Sequence, residues 1–226
     1  MRNKIFFFLI LFFLNGYTLP VYSADLLRIL AIRVEFVEDD ATTTIGNGKF
    51  DLSEPSHLFQ IDPPPHNRSY FEDHILFLSN YFKKVSKERL IISGDVFPLE
   101  ETRAYQLDEP MTRYNPNRTP EENNRALAEL FRDAIQKADQ DSEIDFSRYD
   151  GFIIFHAGVG KDVDVGFDET PQDIPSLYIT PDFLNTYLRS PGVSVDNGNV
   201  MVSGGILAPE TESQEGIELG LNGILT

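Results

Sequence analysis

The sequence predicts an α/β or α+β domain, in which helices pack on a mixed, twisted sheet. Short apolar segments with strand patterns alternate along the chain with amphipathic helical patterns, and that order is typical of such folds. Apolar residues make up 41% of the 226 residues, enough for one sizeable core. There is no cysteine, so neither disulfides nor thiolate chemistry is expected.

Five segments have strand patterns. Residues 26–37 alternate polar and apolar side chains with a period of two, as a half-buried strand does. Residues 89–99 are predicted to form a second strand, in which Gly94 indicates a bulge. Residues 152–155 are apolar on both faces, which indicates a central strand covered on both sides. A short strand is predicted at 177–179 and a further strand at 200–207. The glycine pair in the last segment indicates a sheet edge or a close approach of two backbones.

Two longer helices are predicted, each opened by a capping box, in which a Ser or Thr pairs with a Glu three residues later. The boxes are Ser69 with Glu72 and Thr119 with Glu122. Each is followed by apolar residues at spacings of three and four, the pattern of one buried helix face. The first helix is expected to run to about residue 84. A brief third helix is predicted at residues 181–188.

The N-terminus has the pattern of a secretory signal peptide. Two positive charges precede an unbroken apolar run at residues 5–14, and Ser23 and Ala24 are small residues suited to cleavage. Crossing a membrane takes about 20 apolar residues, so this run is too short for a stable anchor, although an uncleaved anchor is the alternative. We therefore expect residues 1–23 to be a leader and residues 24–226 to be one secreted or extracytoplasmic domain.

The excess of acidic residues restricts the partners. The chain has 36 Asp and Glu against 19 Lys and Arg, a formal net charge of −17, and the predicted leader contains only basic charges. Nucleic acids and anionic membrane surfaces both require neutralising positive charge. Neither is therefore expected as a partner.

Histidine spacing gives no metal site. The chain has four histidines: His57, His66, His74 and His156. No two have the spacing that brings both imidazoles of one element to one metal ion. His156 ends the predicted central strand, where functional residues of α/β folds often lie, but no nucleophile-elbow sequence accompanies it. A structural histidine and a histidine of an unrecognised hydrolase both stay open.

An acidic segment follows that strand. Asp162, Asp164 and Asp168, with a glycine between them, resemble a calcium loop, because carboxylate oxygens are the ligands that Ca²⁺ prefers. Their spacing departs from the twelve-residue calcium pattern. A weak calcium site and a solvated acidic loop are therefore the two interpretations.

Three longer stretches carry a family resemblance. They are RILAIRVEF at 28–36, SYFEDHILFLSNYFKKVSKERLIISGDVFPL at 69–99 and IDFSRYDGFIIFHAG at 144–158. In this order they resemble the front part of the secreted zinc metallopeptidases related to immune inhibitor A. The matching positions of the second stretch are Tyr70, Tyr81, Phe82, Ser86 and Leu90.

The resemblance implies a zincin-like subdomain of an endopeptidase that hydrolyses extracellular proteins. In that family an H-E-x-x-H helix binds zinc through its two histidines, and its Glu is the general base for the zinc-bound water. The 226 residues contain no such motif. The final GIELGLNGILT resembles the apolar run that opens this helix. We therefore expect a truncated active-site helix, the catalytic and zinc-binding residues beyond Thr226, and no activity of this chain alone.

Zincin folds also carry an edge strand that pairs with extended substrate, a form of strand addition. The resemblance assigns this role to residues 200–207, so Val202, Ser203, Gly204 and Gly205 are expected to contact a protein or peptide substrate. An ordinary edge strand is the alternative for this segment. For the whole chain, the alternative is a non-catalytic exported binding or adhesion module on a similar scaffold.

Overall fold

The computed structural model describes residues 24–55, 62–162 and 170–212, together with the backbone of two short strands at 217–219 and 223–225. The domain is a mixed α/β structure, as the sequence predicts. Its elements in chain order are β1 Asp25–Glu35, α1 Arg68–Val85, β2 Leu90–Phe97, β3 Tyr105–Gln106, α2 Met111–Tyr114, α3 Pro120–Ala138, β4 Gly151–Val159, β5 Leu177–Ile179, α4 Pro181–Leu188, β6 Val193–Val195, β7 Val200–Val202, β8 Gly205–Thr211, β9 Ile217–Leu219 and β10 Gly223–Leu225.

The main sheet is mixed and has the strand order β2-β1-β4-β8-β5, with β3 pairing at the end of β1. The first four strands run parallel, whereas β5 is antiparallel to β8. Strand β4 lies in the middle and is buried from Ile153 to Val159, which confirms the predicted central strand. Because β1, β4 and β8 are parallel, their carboxyl ends meet at one end of the sheet.

Helices α1 and α3 cover opposite faces of the sheet. Helix α1 packs on β2, and its Phe71 ring lies 4.6 Å from the Phe155 ring of β4. On the other face, a Cβ on Gly205 of β8 would lie 3.1 Å from the Phe131 ring of α3. Successive strand residues point to opposite faces, so Ile206 lies on the α1 face.

The predicted helix starts are confirmed for α3 and wrong for α1. Thr119 caps α3 and shares reciprocal bonds with Glu122, so this capping box is formed. Helix α1 is capped instead by Asn67, whose side chain accepts from the Tyr70 N–H. Ser69 lies within the first turn, where its own N–H donates to a Glu101 carboxylate oxygen at 3.0 Å. Asn is as strong a cap as Ser, and here it takes the cap position.

The predicted edge strand at residues 200–207 is wrong. The segment divides into β7, which pairs with β6 in a separate hairpin, and β8, which lies inside the sheet between β4 and β5. The glycines do mark a close backbone approach: a Cβ on Gly204 would lie 2.4 Å from the Ile179 carbonyl oxygen, and one on Gly205 would lie 2.6 Å from that of Phe152. On this side, the edge strand of the described sheet is β5.

The predicted helical start near the C-terminus is also wrong. Residues Ile217–Leu219 and Gly223–Leu225 form an antiparallel strand pair, β9 and β10. Two glycines in this segment each cost about 1 kcal/mol in a helix relative to alanine, and its isoleucines favour strands.

The predicted leader, residues 1–23, lies outside the described residues. Within the described part of the chain, no helix is long and apolar enough to span a membrane.

Candidate functional site

A cleft of about 590 Å³ lies at the carboxyl ends of the parallel strands. In open α/β sheets this end is where ligands bind. The cleft lies between these strand ends and the loop that follows β1. Its lining residues are Ile45, Gly46, Asn47, Lys49, Phe50, Asp51, Leu52, Asp62, Pro64, His66, Gly158, Val159, Glu210 and Thr211.

The base of the cleft is organised by the buried carboxylate of Glu210, which is 5% exposed on β8. Its Oε1 accepts from the Asp51 N–H at 2.6 Å and contacts His66 Nδ1 at 2.7 Å. Its Oε2 accepts from the Gly158 N–H at 2.9 Å. This carboxylate therefore joins β8, the end of β4 and the loop that precedes α1.

The surroundings of His66 favour its protonated form. Its Nδ1 faces the Glu210 carboxylate, and its Nε2 lies 3.1 Å from the Asp62 carbonyl oxygen, so both nitrogens face acceptors. Burial alone would lower the pKa of His66, but the hydrogen bond and the charge of Glu210 outweigh burial and raise it. The two side chains form a buried ion pair, each 4% exposed.

Tyr70 completes this group, which we call the Glu210 clasp: Glu210, His66, Tyr70 and Asp62. The Tyr70 hydroxyl contacts Asp62 Oδ1 at 2.6 Å and the Glu210 carbonyl oxygen at 3.1 Å. Burial and the hydrogen bond to Asp62 raise the pKa of Tyr70. Both oxygens of Glu210 already accept hydrogen bonds, so the clasp holds the cleft in shape.

The predicted calcium ligands receive no support from the described residues. Asp162 Oδ2 accepts a hydrogen bond at 2.7 Å from the N–H of Ser176, the residue before β5. Asp164 and Asp168 lie outside the described residues. Among the residues that are described, no group of three His, Cys, Asp or Glu is placed to hold a metal ion.

His156 is fully buried within β4 and packs beside the Phe36 ring at 6.0 Å. Its Nδ1 contacts the Ala157 carbonyl oxygen at 3.0 Å, and its Nε2 has no hydrogen-bond partner among the described residues. Burial lowers the pKa of His156 to about 4, so the ring is neutral at pH 7. A substrate has no exposed surface of this ring to contact.

His74 is not among the residues that line the cleft. His74 is exposed on α1, and its Nδ1 contacts the Tyr70 carbonyl oxygen at 2.9 Å. His57 lies outside the described residues.

The residues predicted to bind substrate lie where β7 leads into β8. Val202 and Gly205 are buried, whereas Ser203 and Gly204 are half-buried. At 205–207 the backbone is paired on both sides, with β4 and with β5, so extended substrate has no free edge there.

A second apolar surface lies on the α1 face of the sheet, over β8 and β5. Helix α1 packs on β2, whereas Ile206 of β8 is 41% exposed and its neighbour on β5, Tyr178, is 66% exposed. Phe77 and Tyr81 of α1 are exposed and stack at 6.2 Å, and they continue the helix flank on which Tyr70 contacts Glu210 of β8. We call this surface the α1–β5 groove. Its floor is the sheet and its wall is the helix.

Sequence reasoning missed both surfaces. The clasp joins residues 144 positions apart, His66 and Glu210, and no local spacing indicates such a pair. The groove has one local signal, the exposed Phe77 and Tyr81 four residues apart on the predicted helix, outside its buried stripe.

No protein-family model matches the chain, and no curated protein matches it in sequence.

Proposed function

We propose that the domain is the N-terminal scaffold of a secreted zinc-dependent endopeptidase related to immune inhibitor A. The observation that carries the proposal is the α1–β5 groove, an apolar surface beside α1 on the half of the sheet that β8 and β5 form. An active-site helix of the zincin type needs such a surface, because its apolar side must pack on a sheet.

The dimensions of the groove suit one helix. Neighbouring strands lie about 4.8 Å apart, so β8 and β5 together give a floor about 10 Å wide. Packed helices lie about 8–10 Å apart, so a second helix fits beside α1 over these strands. Ile206 and Tyr178 would contact its apolar side from below, and Phe77 and Tyr81 from the flank of α1.

The described residues do not themselves fit a zinc ion, so the proposal assigns the zinc ligands and the general base to polypeptide that follows Thr226. When bound, the zinc would supply the activated water for peptide hydrolysis. Strand β5 ends the described sheet, and its outer edge is the place for an extended peptide substrate. Of the four residues predicted to bind substrate, Gly204 and Gly205 then support that strand, because both lie against Ile179 of β5.

The decisive experiment is to read the codons that follow residue 226 and to express the chain extended through them. We expect a His-Glu pair with a second His three residues after the Glu, one zinc per extended chain by elemental analysis, and peptide hydrolysis that is lost when this Glu is changed to Gln. A stop codon directly after residue 226, or downstream codons without this motif, would refute the proposal.

A substitution in the groove tests the role of that surface. Ile206→Glu adds a charge at a half-exposed position, so we expect it to change the stability of the 226-residue chain by no more than about 1 kcal/mol. In the extended chain the same charge would be buried against the added helix and should destabilise it by at least about 2 kcal/mol. Met201→Glu, at an exposed position on β7, is the control, and it should change the stability of the two chains by the same amount. Equal effects of Ile206→Glu in both would contradict the groove's role.

The alternative is a non-catalytic exported binding or adhesion module. The observation that favours it is the cleft at the carboxyl ends of the strands, which the described residues line by themselves. This alternative predicts that residues 24–226 fold without zinc and unfold cooperatively on heating. Aggregation or a molten state of that chain would count against it, since an uncovered apolar surface promotes association.

A further inference from the structure

We propose that the cleft at the carboxyl ends of β1, β4 and β8 binds an organic cation, namely a protonated amine on an apolar body, such as a lysine side chain. This inference does not depend on the peptidase proposal, because the cleft and the α1–β5 groove are different surfaces with different lining residues. It rests on three properties of the cleft: its size, its apolar walls and the balance of its charges.

The size and the walls suit a small ligand with an apolar body. Ligand cavities in proteins commonly measure about 300–1,000 Å³ and are lined mainly by apolar side chains with a few polar groups. The cleft measures about 590 Å³. Its apolar lining consists of Ile45, Phe50, Leu52, Pro64 and Val159.

The charges of the cleft select a cation. Of the three carboxylates among the described lining residues, Glu210 is paired with His66. The lysine among these residues, Lys49, binds Glu35 at 3.3 Å, and Glu35 is not one of them. The carboxylates of Asp51 and Asp62 therefore have no cationic partner among the described lining residues.

Both aspartates keep an oxygen for a ligand. Asp51 Oδ1 accepts from the Ser53 N–H at 2.9 Å, and Asp62 Oδ1 accepts from the Tyr70 hydroxyl at 2.6 Å. Neither bond involves Oδ2. An ammonium group has three donors and forms strong, charge-assisted bonds with carboxylates. The net charge of −17 favours cations further, since a concave surface concentrates the field of the whole protein.

The test uses three probes of one length and different charge: hexylammonium, hexan-1-ol and hexanoate. Each is titrated into the full chain at pH 7 and low salt, and binding is followed by NMR shifts of the amides that line the cleft. We expect saturable binding of hexylammonium, clearly weaker binding of hexan-1-ol and none of hexanoate. Equal binding of hexylammonium and hexan-1-ol would mean recognition of the apolar body alone and would overturn the proposal, as would no binding of hexylammonium.

Two matched variants locate the site. Asp51→Asn keeps the Oδ1 acceptor for Ser53 and removes the charge, so it should weaken hexylammonium binding at least about threefold. Glu88→Gln removes an exposed carboxylate at the opposite end of the sheet, beside the start of β2, and should leave the affinity unchanged. Equal affinities of the two variants would refute the site. All these measurements are made on the 226-residue chain without zinc, so their failure leaves the peptidase proposal standing.

Discussion

Replacing Glu210 by Gln tests whether the clasp holds the strand ends together. The substitution keeps the shape of the side chain and removes its charge. The NH₂ group of the new amide takes the place of one carboxylate oxygen. It then faces either the Gly158 N–H or the donors of Asp51 and His66, and these groups need an acceptor. The variant therefore loses the ion pair and places a donor against a donor.

The expected cost follows from burial. Removing one partner of a buried ion pair costs about 3–5 kcal/mol, because the other charge is left without compensation. Both partners here are 4% exposed, so we expect a loss within this range at pH 6.5. For a domain of about 200 residues, each kcal/mol lowers the melting temperature by about 2–4 °C.

The assay is urea unfolding followed by circular dichroism, with Glu88→Gln as the control for loss of an exposed carboxylate. The slope of the transition should stay the same while its midpoint falls. Because the pKa of His66 is raised in the folded state, the stability from its charge is complete below its ordinary pKa of about 6.5 and is lost as the pH rises through the folded value. The deficit of Glu210→Gln should thus be smaller at pH 9 than at pH 6.5. A change in stability within about 0.5 kcal/mol of the control would refute the reasoning.

Three further predictions concern the core and use the same urea assay. His156→Leu should make the free energy of unfolding less sensitive to acid. Burial lowers the pKa of His156 to about 4, so this histidine should reduce the stability of the wild type by on the order of 3 kcal/mol as the pH falls from 6.5 to 4. Equal acid sensitivity of the variant and the wild type would contradict this. Gly205→Ala should lower the free energy of unfolding by about 1–3 kcal/mol, because the added Cβ would lie 2.6 Å from a carbonyl oxygen. Gly151→Ala is the control, since a Cβ there would lie 3.8 Å from the nearest atom. A comparable loss of stability in the control would show that the close approach is not the cause. Arg33→Met should lower the free energy of unfolding by about 2–4 kcal/mol, since the buried guanidinium of Arg33 donates to three carbonyl oxygens within residues 98–101. The loop at residues 98–101 should also become open to proteolysis. A loop that resists proteolysis in a variant of unchanged stability would argue against this role of Arg33.

The elements with strong periodicity could be predicted, because their patterns are local. The central strand, the short strand Leu177–Ile179 and the helix Pro181–Leu188 are present as expected. The division between β7 and β8 could not be predicted. Both halves of residues 200–207 have strand patterns. They separate at Gly204 and Gly205, which lie against the carbonyl oxygens of Ile179 and Phe152, and these contacts leave no mark in the local sequence.

The candidate sites were harder to predict, because they depend on contacts between distant segments. Glu210 lies in a segment whose sequence shows only a strand, and its importance comes from its meeting with His66, 144 residues earlier. In the same way, the exposure of Ile206 follows from the position of α1 over other strands, which no pattern within β8 records.

The clasp also fixes the position of the end of β8, where the chain leaves the sheet, and this position affects both proposals. Glu210 is the next-to-last residue of β8, and its backbone carbonyl is held by Tyr70 at the first turn of α1. The chain that follows Thr211 therefore starts beside the N-terminal end of α1, while Thr211 itself still lines the cleft. Strands β9 and β10 come next in the chain, so a helix encoded after residue 226 would reach the groove from them. Loss of the clasp should then weaken both cation binding in the cleft and the packing of any added helix, whereas Ile206→Glu should affect only the second.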